Sequence, residues 1–409
     1  MTFASPTAPR DGLLRPAPRH VLIRALLTAL ALVVLLPTAL IVLGGFAPTL
    51  PFVGRLGQLV ISYLPWLALT AAFAALLSNI ALALGGSRGA GVLLAASLLT
   101  FGATAFITVK LWFVAGANGA SFSLVRQLSP DPVPRQPDSR VTYLTVDGEV
   151  LHAEIWGRKG DGANPTLAPN AKPGAGVLFI HGGGFWGGAL GSRPALFGAL
   201  ADSGIPVVDV EYRISPPPRW NQAPGDILCA LTWLEKNGAS YGIDPLKIVI
   251  VGESAGGNLA LMAAYSAGTG NVPSSCGGLP TPPAAVVAIS PTADLAGMWR
   301  DASLSLDGVT FPEAYIGGTP AQFPDRYDRA SPMWLIRRDV PPTLILAGSI
   351  DHLVHLERTT IVSDQLKAAG AESTLVVVPF ADHGFDGPPN AFGQQLEDQL
   401  LPAFIRAHT

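Results

Sequence analysis

Residues 252–257 read Gly252-Glu253-Ser254-Ala255-Gly256-Gly257, with an apolar run before them at 248–251 and a helical pattern after. A serine between glycines at a strand-to-helix turn sits on a sharp bend with its hydroxyl exposed. The helix beginning there favours negative charge nearby. Ser254 is therefore the candidate nucleophile for acyl transfer. That chemistry needs fixed donors where the oxyanion forms. Residues 181–186, His181-Gly182-Gly183-Gly184-Phe185-Trp186, follow a second apolar run at 177–180. Their glycines let backbone N–H groups come close to a ligand. Gly183 and Gly184, with the N–H of Ala255, are the expected oxyanion donors.

A serine nucleophile needs a base, and the chain has seven histidines. His20 precedes the apolar N-terminal third and His408 adjoins the last residue. His152 falls on an early hairpin. His181 reads as a structural hydrogen-bonding residue. His352 and His355 border a helix and read as surface residues. His383, in Phe380-Ala381-Asp382-His383-Gly384-Phe385, follows the last apolar run and is the expected base. Its orienting acid should come from the loop after the preceding strand, where Asp351 lies. Asp382 adjoins His383, and neighbouring side chains rarely reach each other's ring nitrogens in the needed geometry, so Asp351 is preferred. Its role is to fix the imidazole tautomer and stabilise the imidazolium.

The elements that must position these groups are short apolar runs at 177–180, 206–210, 248–251, 285–289, 343–346 and 375–378. Helical stretches lie near 194–203, 223–237, 254–267, 356–369 and 390–406. Buried strands alternating with helices predict a mainly parallel sheet covered on both faces. Sites in such sheets lie at the carboxyl ends of the strands. A hairpin, 141–146 and 149–156 around Asp147-Gly148, is expected ahead of the parallel part. Residues 160–174 read as a loop.

The chain order Ser254, Asp351, His383 is that of the α/β-hydrolases. Together with the glycine run 181–184 and the run 252–257, it resembles the hormone-sensitive-lipase-like branch of the α/β-hydrolase carboxylesterases. Glu211-Tyr212-Arg213 followed by Pro216 and Pro217 fits, as do Asp226 before Leu231-Thr232-Trp233-Leu234, and Ser290-Pro291 with Asp294-Leu295. The resemblance covers about 176–407. It implies hydrolysis of acyl esters, with a small-molecule or lipid ester as substrate and no metal or organic cofactor. Amide and thioester hydrolysis stay open, as does a non-catalytic membrane-anchored interaction module, although such modules usually lose a member of the triad. Two departures stand out. Family members often carry an N-terminal helical cap, which is replaced here by an apolar region. The segment 295–334 is long and rich in aromatic residues. The tentative substrate-binding set is Phe185, Trp186, Trp299 and Tyr315.

The 409 residues divide by composition. Residues 25–54, 56–87 and 89–109 contain no charged side chain, and each run exceeds the ~20 residues needed to cross a bilayer. The expected organisation is a cytoplasmic tail (1–24), a three-helix transmembrane region (25–115; spans near 25–45, 58–84 and 91–109), a Pro-rich linker (116–140) and an α/β-hydrolase domain (141–409). The first run is too long for a typical signal peptide. No span carries an internal acid or histidine, so the bundle reads as an anchor rather than a transporter. Arg10, Arg15, Arg19 and Arg24 against Asp11 put the tail in the cytoplasm. Three crossings then put the catalytic domain outside. Arg88 agrees, whereas Arg55 and Arg126 lie on the opposite side. The net charge of −3 and the lack of a long basic run argue against nucleic acid as a partner. Cys229 and Cys276 allow one bridge at most and are read as two unpaired thiols.

Overall fold

The computed structural model describes residues 19–157, 173–302 and 310–409. The readings that rest on Arg10, Asp11, Arg15 and most of the loop 160–174 fall outside the described residues. By internal contacts the chain forms two compact units, one of residues up to Leu40 with Trp66–Ala105, the other of Ile41–Pro65 with Phe106–Thr409.

Three long helices begin the chain: α1 (Arg19–Phe46), α3 (Leu64–Ala83) and α4 (Arg88–Ala117). Their apolar stretches of 27, 20 and 30 residues are about 40, 30 and 45 Å long at 1.5 Å per residue. Each is long enough to cross a hydrocarbon core of about 30 Å. In the first unit small residues make the helix contacts: Ala31, Ala71, Ala74 and Ala81 are fully buried. Thr38 and Thr70 hydroxyls meet at 3.0 Å. Leu26, Val33, Leu69 and Leu99 point outward. Leu35, Leu67 and Leu77 are buried beside the alanines, and small residues at the contacts with many leucines outside are common in helices that associate in lipid. Arg24 donates to the carbonyl of Gly85, which puts the start of α1 and the α3–α4 turn at the same end of this unit.

The expected second span, 58–84, begins too early. Residues 53–59 instead form a short helix, α2 (Val53–Leu56), and one 3-10 turn. Pro65, in the first turn of α3, suits a helix start because its missing N–H would have no partner there. Gly44 and Gly57 meet backbone to backbone: a Cβ on Gly57 would lie 2.7 Å from the Gly44 carbonyl carbon. That approach folds 47–63 back on the end of α1.

The second unit is built on one sheet. Its strands are β1 (Ser139–Val146), β2 (Glu149–Trp156), β3 (Gly174–Ile180), β4 (Val207–Val210), β5 (Ile243–Glu253), β6 (Ala285–Ile289), β7 (Thr343–Gly348) and β8 (Ser373–Val378). The order is β1-β2-β4-β3-β5-β6-β7-β8. Strand β2 pairs antiparallel with β1 and β4, and the other pairs are parallel. The β1–β2 turn is made by Asp147 and Gly148, both at positive φ, as a tight hairpin of this sequence requires.

Alternation along β5 shows how the strands fill two cores. Ile248 and Ile250 face one core, with α7 (Ala223–Asn237), α8 (Ala255–Ser266) and α12 (Leu356–Ala368). Val249 and Val251 face the other, with α6 (Pro194–Asp202) and α13 (Phe392–Ala407). Each fully buried side chain of this kind contributes roughly 1.5–3 kcal/mol. The second core also takes in Val60, Ile61, Leu64, Ile107 and Leu111, so the chain around α2 is part of this unit. Between β6 and β7 lie the short helices α9 (Leu295–Ala302), α10 (Thr310–Ile316) and α11 (Pro324–Arg329).

Two expectations change. The segment 116–140 is not a free connector. Helix α5 (Leu124–Leu128) forms within it, Phe122 packs edge-on against Phe392 at 5.0 Å, and Ser121 and Ser123 bond to Gln399 and Gln395 of α13. The two cysteines are not free thiols either. Cys229 on α7 and Cys276 form a disulfide, with Cα atoms 5.5 Å apart. The neighbouring Ser275 explains their meeting. Its N–H bonds to the Gly225 carbonyl at 3.0 Å and its hydroxyl to Asp226 at 2.6 Å, which docks the Cys276 loop on α7.

Candidate active site

Register places the site. Ile180 is opposite Gly252, so the glycine loop after β3 runs beside the turn after β5. Gly348 is opposite Val378, so the loops carrying Asp351 and His383 are neighbours. All four loops leave the carboxyl ends of parallel strands.

Ser254 has φ 53° and ψ −118°, a conformation that costs a non-glycine residue roughly 1–3 kcal/mol. Tight packing around the turn holds it there. A Cβ on Gly252 would lie 2.2 Å from the Gly256 carbonyl oxygen, and one on Gly256 would lie 2.1 Å from that of Ile180. The Ser254 N–H donates to Ile289 at 2.8 Å.

His383 Nε2 lies 2.9 Å from Ser254 Oγ, and His383 Nδ1 lies 2.9 Å from Asp351 Oδ2. The other Asp351 oxygen accepts from the N–H groups of Leu353 and Val354 at 2.9 and 2.7 Å, which fixes the carboxylate. Asp382 is engaged elsewhere. One oxygen accepts from the backbone N–H of both His352 and His383, and the other meets His352 Nδ1 at 2.6 Å. Burial works against the charged form of His383, but Asp351, assisted by Asp386 and Asp382, outweighs it and holds the imidazole up at about 9. The row can pass a proton from Ser254 to His383 and stabilise the imidazolium that results.

Gly183 and Gly184 have φ 117° and 64°. The Gly183 carbonyl accepts from Gly187 and Trp186, closing the loop into a turn over the serine. Ala255 opens α8, where the first N–H groups have no partner within the helix. His181 is buried, with Nδ1 2.8 Å from the Gly182 carbonyl oxygen. Burial lowers its pKa, as suits a neutral structural ring.

A cavity of about 650 Å³ opens over Ser254, lined by the glycine loop, Ile289, Met298, Phe311 and Leu353. Phe185 and Trp186 also border it. Trp186 is at its rim, half exposed and edge-on to Phe311 at 5.5 Å. Trp299 and Tyr315 do not line it. Tyr315 is fully buried and stacks under Phe185 at 3.8 Å. Trp299 packs against the core and donates to Glu313 at 2.9 Å. The segment 295–334 therefore supplies the wall through Met298 and Phe311, not through these two rings.

Sequence reasoning missed a charged cluster on the floor of the cavity. Buried Arg193 donates to Glu253 at 2.8 Å, to Glu397 at 2.6 Å and to Asp386. Glu253, next to the serine, also accepts from the N–H of Gly182 at 3.4 Å. Three carboxylates face one cation, and burial pushes the Glu397 carboxyl well above the usual range despite Arg193. The carboxylate beside Ser254 was the one sequence signal for this cluster. His352, read as a surface residue, is partly buried and bridges Asp382 to the Pro48 carbonyl, 2.9 Å from Nε2.

Comparison with known proteins agrees with this architecture. A family model described as BD-FAE matches residues 167–366. Esterase 2 of Thermogutta terrifontis, in a structure phosphoramylated by tabun, superposes with a TM-score of 0.53 at 23% identity. The match covers 68% of this chain and 96% of that one. The fold is that of the α/β-hydrolases. An ethyl acetate hydrolase of Pseudomonas putida is 38% identical over 132 residues, 32% of this chain and 39% of that protein. Esterase LipC of Mycobacterium tuberculosis is 30% identical over 256 residues, 60% of this chain and 59% of that protein. The matched regions thus span between 39% and 59% of the lengths of these two relatives.

Proposed function

We propose that this protein is a membrane-anchored serine hydrolase that cleaves carboxylic esters through an acyl-enzyme. The observation that carries the reading is the row Asp351–His383–Ser254, closed by two contacts of 2.9 Å at the carboxyl edge of the sheet. Similarity to an ethyl acetate hydrolase and to esterases supports the choice of esters. The three apolar helices support the anchor.

In the first step His383 Nε2 takes the Ser254 proton as Oγ attacks the ester carbonyl carbon. The carbonyl oxygen becomes an oxyanion facing the N–H groups of Gly183, Gly184 and Ala255. The tetrahedral adduct collapses, the C–O bond to the alcohol breaks, and His383 returns the proton to the leaving oxygen. Water then attacks the acyl-serine, giving its proton to His383, and the acid and Ser254 are released. Phe185 and Trp186, with Met298 and Phe311, receive the acyl portion.

Replacing Ser254 with Ala should lower kcat on p-nitrophenyl butyrate by at least about 10⁴-fold. The same replacement should abolish labelling by a fluorophosphonate probe. Full activity in the Ser254→Ala protein would end the proposal.

A further inference from the structure

A second recess, of about 240 Å³, adjoins the cavity over Ser254. The two share Phe311, Leu353 and His383 as walls. The large cavity is walled by glycines and apolar side chains above the charged floor of Arg193, Glu253 and Asp386. The small one has a different lining, with Arg55, Gln58, His352 and Asp382 joining the shared residues. Arg55 and Gln58 come from residues 47–63, between α1 and α3 and outside the hydrolase sheet. The same segment is fastened beside the site at three places. His352 holds the Pro48 carbonyl, Val60 and Ile61 enter the core under the sheet, and the Ile61 and Ser62 carbonyls accept from the side chain of Gln127.

On the mechanism above, His383 delivers the proton to the departing alcohol, so that alcohol must lie on the His383 side of Ser254. The recess is there, with His383 in its wall. The amide of Gln58, exposed in this wall, and the Arg55 guanidinium disfavour a purely apolar group, against which they would lose water without replacement. They accept an alcohol that carries further hydroxyls. The segment also exposes Leu50 and Phe52, at 45% and 76%, next in the chain to two helices long enough to span a bilayer. An ester with its acyl chain in lipid and a polar alcohol at the surface suits that placement.

We propose that residues 47–63 complete a leaving-alcohol subsite that selects acyl esters of a hydroxyl-bearing alcohol such as glycerol. The inference rests on the serine-hydrolase reading. Gln58, exposed and therefore replaceable without disturbing the core, is the residue that should read the extra hydroxyls.

The test uses the full-length protein in phosphatidylcholine vesicles, with monodecanoylglycerol and ethyl decanoate as substrates. The expected result is a kcat/KM at least about tenfold higher for the glycerol ester, the discrimination that one or two hydrogen bonds supply. Gln58→Leu should cut that ratio by about three- to tenfold, and Gln58→Trp, which fills the recess, should abolish it. Fluorophosphonate labelling of Ser254 in each variant reports that the site is intact. Equal kcat/KM for the two esters, or a preference unchanged in both variants, would overturn the subsite while leaving the hydrolase reading standing. Absence of Ser254-dependent hydrolysis of either ester would overturn both.

Discussion

His383 decides the pH dependence of the proposed chemistry. It acts as a base only when neutral, and its surroundings hold its pKa up at about 9. The kcat/KM for a soluble ester should therefore rise from pH 7 towards pH 9 along a single limb. Asp351 is the chief source of that elevation, by charge and by hydrogen bond. Asp351→Asn should move the limb to lower pH and lower kcat by on the order of 10⁴-fold, since an amide stabilises the wrong tautomer. A pH–rate profile of the two proteins checks both, and an unmoved limb would show that Asp351 does not set the basicity of His383. Ser254, Asp351 and His383 were legible in the sequence because each follows an apolar run that could be read as a strand. Trp299 and Tyr315 were misplaced because aromatic content does not say which way a ring points. Tyr315 turns under Phe185 into the core, and Met298 and Phe311 take the wall.

Among the elements, strands were the easiest to read where both faces are buried. In β6 every residue is buried, and the run 285–289 marks it end to end. In β5 the residues 244–247 are partly or fully exposed and include Asp244 and Pro245, so only the apolar half stood out. Helices α9, α10 and α11 are too short to show a period. Arg193 ties elements together in a way no local pattern reveals. It stands just before α6 and reaches Glu253 at the end of β5, Asp386 beyond the His383 loop, and Glu397 in α13. Arg193→Met would leave carboxylates buried without their cation and should cost about 3–5 kcal/mol of unfolding free energy. Glu397 differs from Arg193 in that burial raises its carboxyl and so favours the neutral form. Glu397→Gln keeps an acceptor at that place without a charge and should change stability by less than about 1 kcal/mol, near the size of one ordinary hydrogen bond. Denaturant titration at pH 7 compares the two. Equal losses would mean that the charge of Glu397 matters to the cluster as much as that of Arg193.

For the molecule as a whole, connectivity and redox chemistry bear on the same question. The start of α1 and the α3–α4 turn share one end of their unit through Arg24 and Gly85. On the proposed anchor, three crossings would leave the sheet-bearing unit on the side opposite the start of α1. With Arg24 and Arg88 on the cytoplasmic side, as the positive-inside rule would have it, the proposal places that unit outside the cytoplasm. The Cys229–Cys276 disulfide, which composition gave no reason to expect, would persist in the oxidising compartment that this proposal implies. The cysteines are 47 residues apart, and closing a loop of that length is worth about 4 kcal/mol on the chain-entropy account. Cys229→Ser should therefore lower stability by about 2–5 kcal/mol, measured as a fall in denaturation midpoint that reducing agent reproduces in the parent protein. Sidedness has its own reading. Leu246, 73% exposed on the hydrolase body, can be changed to Cys and treated in intact cells with a membrane-impermeant maleimide. Labelling without permeabilisation is expected. Labelling only after permeabilisation would put the body in the cytoplasm, where a reducing environment would leave the Cys229–Cys276 pair open and the stabilisation absent.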